Sequence, residues 1–171
     1  MFQNHNMKLH IGCGKEILDD WINIDKYPMS SQVQQVDITT FPLPFKDNQF
    51  EYIRMRNILE HLPIESQLKL FDELHRITKR EGLIWIRVPY GSHWTRRIDH
   101  YRGYTYSTFK HIDSYWFGKG KRFKIHSWSD HPTKLGRLLV SKYIRRFFDY
   151  IASAELFITD IIIELEVIKE K

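Results

Sequence analysis

The chain has a single cysteine, Cys13, among its 171 residues. One thiol cannot form an intrachain disulfide, which excludes the disulfide-rich secreted scaffolds and favours a reducing, cytoplasmic setting. The sequence has no run of about 18 apolar residues, so no transmembrane helix is expected. Its first residues, MFQNHNMKLH, also lack the basic-then-apolar layout of a signal peptide.

Glycine and proline are sparse, at 8 and 6 residues, and no repeat or low-complexity tract interrupts the chain. The length and the 42% hydrophobic content predict one folded domain over residues 1–171. Acidic residues are outnumbered, which gives a net charge of +5. Residues 94–146 hold 13 lysines and arginines against 3 acids, so this segment is either a face for an anionic partner or a solvated basic surface.

Strand-like segments come first along the chain. They are Met7–Ile11, Trp21–Ile24, Val33–Ile38 and Phe50–Arg56. A helix is predicted next, with Pro63 as its first residue and Gly82 as a left-handed cap. Its apolar residues recur at helical spacing and are Ile64, Leu68, Phe71, Leu74 and Ile77. Strand Leu83–Val88 follows at once, and strand, helix and strand in this rhythm indicate a parallel crossover unit.

The second half of the chain is predicted to add four elements. They are a short helix capped by Ser107 and running through Ser114, strand Phe123–Trp128, helix Lys134–Phe148 and a last strand Ile161–Ile168. The helix over 134–148 carries lysines and arginines beside its apolar side. It is either an ordinary amphipathic helix on the sheet or a surface for membrane headgroups or nucleic acid.

Three strand ends carry residues suited to a nucleoside. The first strand runs into Gly12-Cys13-Gly14, where a tight turn lets backbone amides approach a ligand closely. The second ends at Asp25, whose two oxygens can accept from both hydroxyls of a ribose, although an ordinary turn aspartate is the simpler interpretation. The third ends at Asp37-Ile38, an acid for an adenine amino group and an apolar side chain for its ring.

With these residues in order, the chain resembles the small, trimmed members of the class I S-adenosylmethionine-dependent methyltransferases. The segments that carry the resemblance are Lys8–Gly14, Trp21–Asp25, Leu43–Glu51, Asn57–Leu62, Leu74–Pro89 and His100–Phe109. The resemblance implies an α/β, single-domain Rossmann-like fold. Its sheet would have seven mostly parallel strands, an antiparallel last strand and helices on both faces.

The resemblance also implies a set of cofactor-binding residues for S-adenosyl-L-methionine. Gly12, Cys13 and Gly14 would line its methionine part, and Asp25 would bind the ribose with Lys26 packed beside it. Asp37 and Ile38 would meet the adenine, and Asn57 and Ile58 would lie near the sulfonium. Asn57 could also simply cap a short helix.

The chain departs from the family pattern at the glycine turn. His10 stands where the family often has an acid, and Lys15 follows Gly14 where a third glycine is frequent. Only ten residues separate Gly14 from Asp25, against about 20 in a dinucleotide fold. A full helix does not fit there, so a reduced first helix is expected, and NAD is disfavoured.

Candidates for chemistry and for substrate binding follow from residue type. His61, His93 and His100 are candidate general bases for a hydroxyl acceptor, although a structural histidine is the simpler reading of each. Arg56 is the best of three strand arginines for an anionic substrate group, and Trp94 and Tyr101 could stack on a planar or sugar-like acceptor. Nine histidines raise the question of zinc, but no paired metal-ligand spacing occurs and no metal is expected.

The sequence thus predicts methyl transfer to a small-molecule acceptor, anionic or sugar-like. An RNA methyltransferase that uses the basic 94–146 segment is an alternative, with nucleic acid as a less favoured partner. A non-catalytic cofactor-binding or regulatory protein of the same fold is another. Because only about seven residues precede the first strand, either the 90–130 segment or another subunit is expected to cover the site, and a homodimer is therefore considered.

Overall fold

The computed structural model describes residues 7–91, 97–112, 122–132 and 158–170. Within these residues, seven strands form one sheet in the order β3-β2-β1-β4-β5-β7-β6. The strands are β1 (Lys8–Ile11), β2 (Ile22–Asp25), β3 (Val33–Gln35), β4 (Phe50–Arg56), β5 (Thr78–Pro89), β6 (Phe123–Pro132) and β7 (Ile158–Val167). The helices are a 3-10 turn (Leu59–His61), α1 (Ile64–Ile77) and α2 (Tyr106–Lys110).

The strand directions are those of the predicted mixed sheet. β1 pairs in parallel with β2 and β4, β2 with β3, and β4 with β5. β7 runs antiparallel to both of its neighbours, β5 and β6. The predicted seven-stranded fold with an antiparallel last strand is therefore confirmed. No helix in the described part of the chain is long and apolar enough to cross a membrane.

The core lies on one face of this sheet, because apolar residues alternate with polar ones along the central strands. The register aligns Leu9, Ile53, Ile84 and Leu165 in one row across four strands. All four side chains are fully buried, and they belong to the same cluster as the apolar residues of α1. The parallel pairing of β1 with β2 and with β4 places the carboxyl ends of these three strands side by side at one edge of the sheet, where ligands bind in such folds.

The buried face of α1 differs from the predicted one. Ile64 is exposed and Leu68 half-buried, whereas Gln67 and Leu70 are fully buried. The reason is a polar contact: the Gln67 amide donates to the carbonyl oxygens of Leu59 and Leu62, at 3.0 and 2.8 Å. Gln67 thereby ties α1 to the 3-10 turn at the edge of the sheet.

The C-terminal end of α1 is also not as predicted. The helix begins at Ile64 with Pro63 as its N-cap, and it ends at Ile77, before the predicted cap. The left-handed residue is Glu81, with a φ of 62°, rather than Gly82. Gly82 instead permits a close contact, because an added Cβ would lie 2.6 Å from the Thr78 side chain and 2.9 Å from the Lys79 carbonyl oxygen.

Other element boundaries also need correction. β5 begins at Thr78 rather than Leu83, β6 extends to Pro132, and β7 covers Ile158–Val167. β3 ends at Gln35, before the predicted Ile38. The cap of α2 is Thr105 rather than Ser107, because Thr105 and Thr108 form a reciprocal capping box. Ser114 and the predicted helix over 134–148 lie outside the described residues.

The connection between β1 and β2 contains turns but no helix, as the short spacing predicts. The side chain of Asn23 holds this connection in place of helical hydrogen bonds. Its Oδ1 accepts from the Leu18 amide at 3.1 Å, and its Nδ2 donates to the Leu18 and Trp21 carbonyl oxygens at 2.9 and 3.1 Å. The hydrogen bonds of the buried Asn23 side chain therefore fix the connection between β1 and β2, which contains no helix.

Candidate functional site

The glycine turn after β1 is an open backbone bend. Gly12 and Gly14 both adopt positive φ, at 64° and 53°, which favours glycine at each position. The amides of Gly12 and Cys13 both donate to the Ile24 carbonyl oxygen, which fixes the bend against β2. A Cβ on Gly14 would meet nothing within 4 Å, so a ligand can approach this residue closely.

Asp25 faces this turn from the end of β2. Its Oδ2 accepts from the Gly14 amide at 2.8 Å, and its Oδ1 accepts from the Tyr27 amide at 2.9 Å. Because each carboxylate oxygen has about two acceptor directions, one on each oxygen remains for a ligand hydroxyl. The geometry is therefore compatible with the predicted grip on two ribose hydroxyls.

Cys13 lies at the centre of the turn and is 5% exposed. Burial, and then the nearby negative charge of Asp25, raise the pKa of its thiol above the ordinary value. A thiol held in the protonated form is a poor nucleophile. The residue consequently shapes the turn rather than reacting.

Lys26 and Asp37 meet in an ion pair of 3.0 Å between Nζ and Oδ2. The other oxygen of Asp37 accepts from the amide and the hydroxyl of Thr39, at 2.9 and 2.7 Å. These bonds with Thr39 and then Lys26 lower the pKa of Asp37 to about 2. An adenine amino group would share this ionised carboxylate with Lys26, while Ile38 packs against the core nearby.

Asn57 and Ile58 follow β4 and close over the glycine turn. Asn57 has a positive φ of 54°, and its amide donates to the Arg87 carbonyl oxygen at 2.9 Å. A Cβ on Gly12 would lie 2.1 Å from Cδ1 of Ile58. The structure thus brings Ile58 against the turn, and a place for Asn57 and Ile58 near the sulfonium stays a prediction.

His10, which stands in place of the usual acid, belongs to a buried polar network. Its Nδ1 lies 3.3 Å from Oδ1 of Asn23, and its Nε2 lies 3.0 Å from Nη1 of Arg54. Burial, followed by the charge of Arg54, lowers the pKa of His10 below its usual value. His10 is therefore a neutral structural group.

A pH-dependent stability follows from His10. The unfolded chain, with a histidine pKa of about 6.5, binds the proton more tightly than the folded protein. The stability contributed by neutral His10 is therefore complete above about pH 6.5 and is lost as the pH falls toward the lowered pKa. Measured by urea unfolding, the stability advantage of the wild type over His10→Gln should shrink between about pH 8 and about pH 5.

The matched control for this experiment is His126→Gln, which removes a half-exposed histidine from β6. It corrects for the loss of a histidine as such. An advantage over His10→Gln that stays constant with pH would contradict the assignment of His10 as a buried neutral group.

The three strand arginines all have carboxylate partners. Arg54 and Arg56 bind the two oxygens of Glu16 at 2.9 and 3.1 Å, and Arg87 binds Asp160 at 2.9 Å. Arg54 also stacks over Trp85, 5.0 Å from the ring centroid. Arg56, the predicted substrate ligand, is the exposed member of the three, and Glu16 holds it beside the glycine turn.

The segment after β5 returns to the sheet at Tyr104, which is fully buried. The Tyr104 amide donates to the Pro89 carbonyl oxygen at 3.1 Å, and the Gly91 amide donates to the Tyr104 carbonyl oxygen at 3.0 Å. We call this pair of bonds the Gly91–Tyr104 clamp. Tyr101 lies between Gly91 and Tyr104 in the sequence and is 60% exposed, so its ring is accessible to a ligand. His93 and Trp94, which were also predicted to act here, lie outside the described residues.

His61 and His100 are 39 positions apart in sequence but adjacent in space. Their ring centroids are 4.6 Å apart, at an interplanar angle of 82°. Glu60 lies beside them, fully buried, and sequence reasoning missed it because it reads as a helix-capping acid. Burial raises the pKa of the Glu60 carboxyl above its ordinary value.

Comparison with known proteins agrees with this fold. A family model described as "Methyltransferase domain" matches residues 21–86, and no curated protein matches the chain. A SAM-dependent methyltransferase from Archaeoglobus fulgidus is 20% identical, with a TM-score of 0.65 over 94% of this chain and 86% of that one. One from Methanosarcina mazei is 15% identical, with a TM-score of 0.62 over 98% and 95% of the two chains.

A third similar structure is the geranyl diphosphate C-methyltransferase of Streptomyces coelicolor, in complex with Mg²⁺, geranyl diphosphate and S-adenosyl-L-homocysteine. It is 12% identical, with a TM-score of 0.61 over 94% of this chain and 71% of that one. The mixed sheet with its antiparallel last strand is the Rossmann-like fold of these methyltransferase structures. Over residues 21–86, the chain is similar to the methyltransferase domain family.

Proposed function

We propose that the protein transfers a methyl group from S-adenosyl-L-methionine to a small anionic or sugar-like acceptor. The observation that carries the proposal is the position of the Asp25 carboxylate, 2.8 Å from the Gly14 amide beside open space. A carboxylate and a bare backbone turn at adjacent strand ends together suit the ribose and the methionine part of one ligand. S-adenosylmethionine supplies an activated methyl group on positively charged sulfur when it is bound.

The chain's own contribution is alignment. Gly12, Cys13 and Gly14 would cradle the methionine part, Asp25 would hold the ribose, and Lys26, Asp37 and Ile38 would surround the adenine. Asn57 and Ile58, packed over the turn, would orient the reacting end toward the acceptor. Holding two reactants in line can contribute about 7–11 kcal/mol, so the transfer needs no obligatory catalytic side chain.

The acceptor class rests on charge and on exposed aromatic surface. Arg56 and Tyr101 are both exposed on the segments that follow β4 and β5. An arginine suits a carboxylate or phosphate, and a tyrosine face suits a sugar or planar group. A histidine base for a hydroxyl acceptor stays a prediction for His61, His93 and His100, and so do the single domain, the cytoplasmic location and a homodimer.

We do not adopt the RNA alternative, because the charges in the described part of the basic segment are largely matched by acids. Arg97 binds Asp99 at 2.9 Å, Arg122 pairs with Asp72, and Lys124 binds Glu166 at 2.7 Å. Paired cations contribute less to the counterion-release term that drives nucleic-acid binding.

Calorimetry tests the proposal. S-adenosylmethionine and S-adenosylhomocysteine should each bind with a stoichiometry of about one. At a ligand concentration of 100 times the Kd, binding adds about 2.7 kcal/mol to the free energy of unfolding and so raises the melting temperature. NAD and ATP serve as controls, because they share the adenosine but lack the methionine part. Equal binding of all four would contradict a methionine pocket, and no binding of the first two would overturn the proposal.

A further inference from the structure

The strongest unused feature of the molecule is the cluster formed by Glu60, His61 and His100. One donor atom from each residue can be chosen so that all three lie within 4.8 Å of one another. The cluster combines one carboxylate with two imidazoles, from two segments that are far apart in sequence.

Glu60 provides the reason to expect a ligand in this cluster. Its side chain is fully buried, and neither carboxylate oxygen has a hydrogen-bond partner among the described residues. A buried carboxylate without partners is strongly unfavourable if it is charged, unless a cation compensates it. The two neighbouring imidazoles make that cation one with an affinity for nitrogen.

His61 is oriented in the way that metal-binding histidines are. Its Nδ1 lies 3.3 Å from the Asp99 carbonyl oxygen and 3.3 Å from an oxygen of the Asp99 carboxylate. A carbonyl oxygen can only accept, so Nδ1 carries the proton and Nε2 keeps its lone pair for another partner. Metal-bound histidines almost always donate their second nitrogen to a carboxylate or a carbonyl in this manner.

The supports of the cluster are themselves fixed. Arg97 binds both oxygens of Asp99, at 3.0 and 2.9 Å. The Tyr101 amide donates to the Glu60 carbonyl oxygen at 2.7 Å, which ties the loop of His100 to the 3-10 turn. From below, Gln67 holds the same turn. Hydrogen bonds made by the surrounding residues therefore hold the three donor side chains close together.

We propose that Glu60, His61 and His100 bind a divalent transition-metal ion, such as Zn²⁺, at the acceptor side of the methyl-transfer site. One carboxylate with two imidazoles is a donor set used for Zn²⁺ and for Fe²⁺. Tetrahedral Zn²⁺ with bonds of about 2.0–2.1 Å needs donor atoms about 3.3 Å apart, which small side-chain rotations supply from the present spacing.

Three protein donors leave a coordination position open, as in catalytic metal sites. An oxygen of the acceptor would fill it, and both acceptor classes considered above carry suitable oxygens. As metal ligands, His61 and His100 could not also act as proton acceptors, so the metal-binding role replaces the general-base role for these two residues. Binding of the ion needs no part of the glycine turn, whereas the place of an acceptor oxygen on the ion rests on the proposed function.

The test is titration of the untagged, chelator-treated full chain with Zn²⁺ and with Co²⁺, without S-adenosylmethionine. The expected result is one tightly bound ion per chain and a visible Co²⁺ absorption band that indicates four- or five-fold coordination. Glu60→Gln, His61→Ala and His100→Ala should each weaken binding at least about tenfold. Circular dichroism of each metal-free variant shows whether it folds, and the wild-type Co²⁺ spectrum remains decisive if one does not.

The matched control is His126→Ala, which removes a half-exposed histidine outside the cluster and should leave metal affinity unchanged. Asp99→Asn tests the positioning of His61 and should weaken binding less than loss of a ligand does. Absence of a stoichiometric ion in the wild type, or equal weakening by His126→Ala and by the three ligand variants, would overturn the proposal. Neither result would touch the calorimetric test of cofactor binding.

Discussion

Asp25→Ala should abolish most of the thermal stabilisation that S-adenosylmethionine gives to the protein. Ionised carboxylates form hydrogen bonds worth about 1.5–3 kcal/mol each, and two to a ribose would be lost, so the affinity should fall about 100-fold or more. The substitution also leaves the Gly14 and Tyr27 amides without their acceptor, so the ligand-free protein should melt earlier. The shift is therefore measured against each variant's own ligand-free melting temperature, with calorimetry for the affinity.

Two further variants bracket this result. Asp25→Asn keeps the shape and one acceptor oxygen, and it should retain part of the affinity. Asp47→Ala removes an exposed carboxylate that pairs with Arg76, outside the glycine turn, and should leave the ligand-induced shift unchanged. A full shift in Asp25→Ala would refute the assignment of the ribose to this residue.

Gly12→Ala should mainly lower the stability of the fold, whereas Gly14→Ala should mainly weaken ligand binding. Gly12→Ala places a methyl group 2.1 Å from the Ile58 side chain, in a residue that already has positive φ. Strain and overpacking together should destabilise the fold by about 2–4 kcal/mol. Gly14→Ala meets no protein atom, so it should cost only about 1–2 kcal/mol, while its methyl group occupies the space through which the ligand approaches.

Urea unfolding and calorimetry separate the two effects. Gly12→Ala should be the less stable variant, and the added substitution Ile58→Ala should restore part of the lost stability by removing the clash. Gly14→Ala should be the more stable variant but should bind S-adenosylmethionine far more weakly than the wild type. Equal stability of the two glycine variants would contradict the described packing of Ile58 on the turn.

Local signals in the sequence were enough for the sheet and for the glycine turn that faces Asp25. Apolar alternation located the strands, and the short spacing from Gly14 to Asp25 predicted the missing first helix. Residue types at strand ends picked out Asp25 and the glycine turn, because parallel strands bring their carboxyl ends to one edge. These inferences needed only neighbouring residues and the general topology.

The sequence alone did not reveal contacts between polar residues that are far apart along the chain. Gln67 occupies a helix position where periodicity expects an apolar residue, and its reason is a pair of carbonyl oxygens in the preceding turn. Likewise, Glu60 reads as a capping acid until His100 is found beside it. A polar residue that is buried by contact with a residue far along the chain gives no periodic pattern in the sequence. The proposed metal site consists of such residues.

The Gly91–Tyr104 clamp separates sequence change in the segment after β5 from maintenance of the fold. The chain leaves β5 at Pro89 and returns to it at Tyr104, so Gly91 and Tyr104 form the joined ends of a closed loop. Doubling the length of a closed flexible loop costs only about 0.6 kcal/mol. Under the proposed function, changes between residues 91 and 104 would therefore alter the choice of acceptor while the strands and the glycine turn keep their shape.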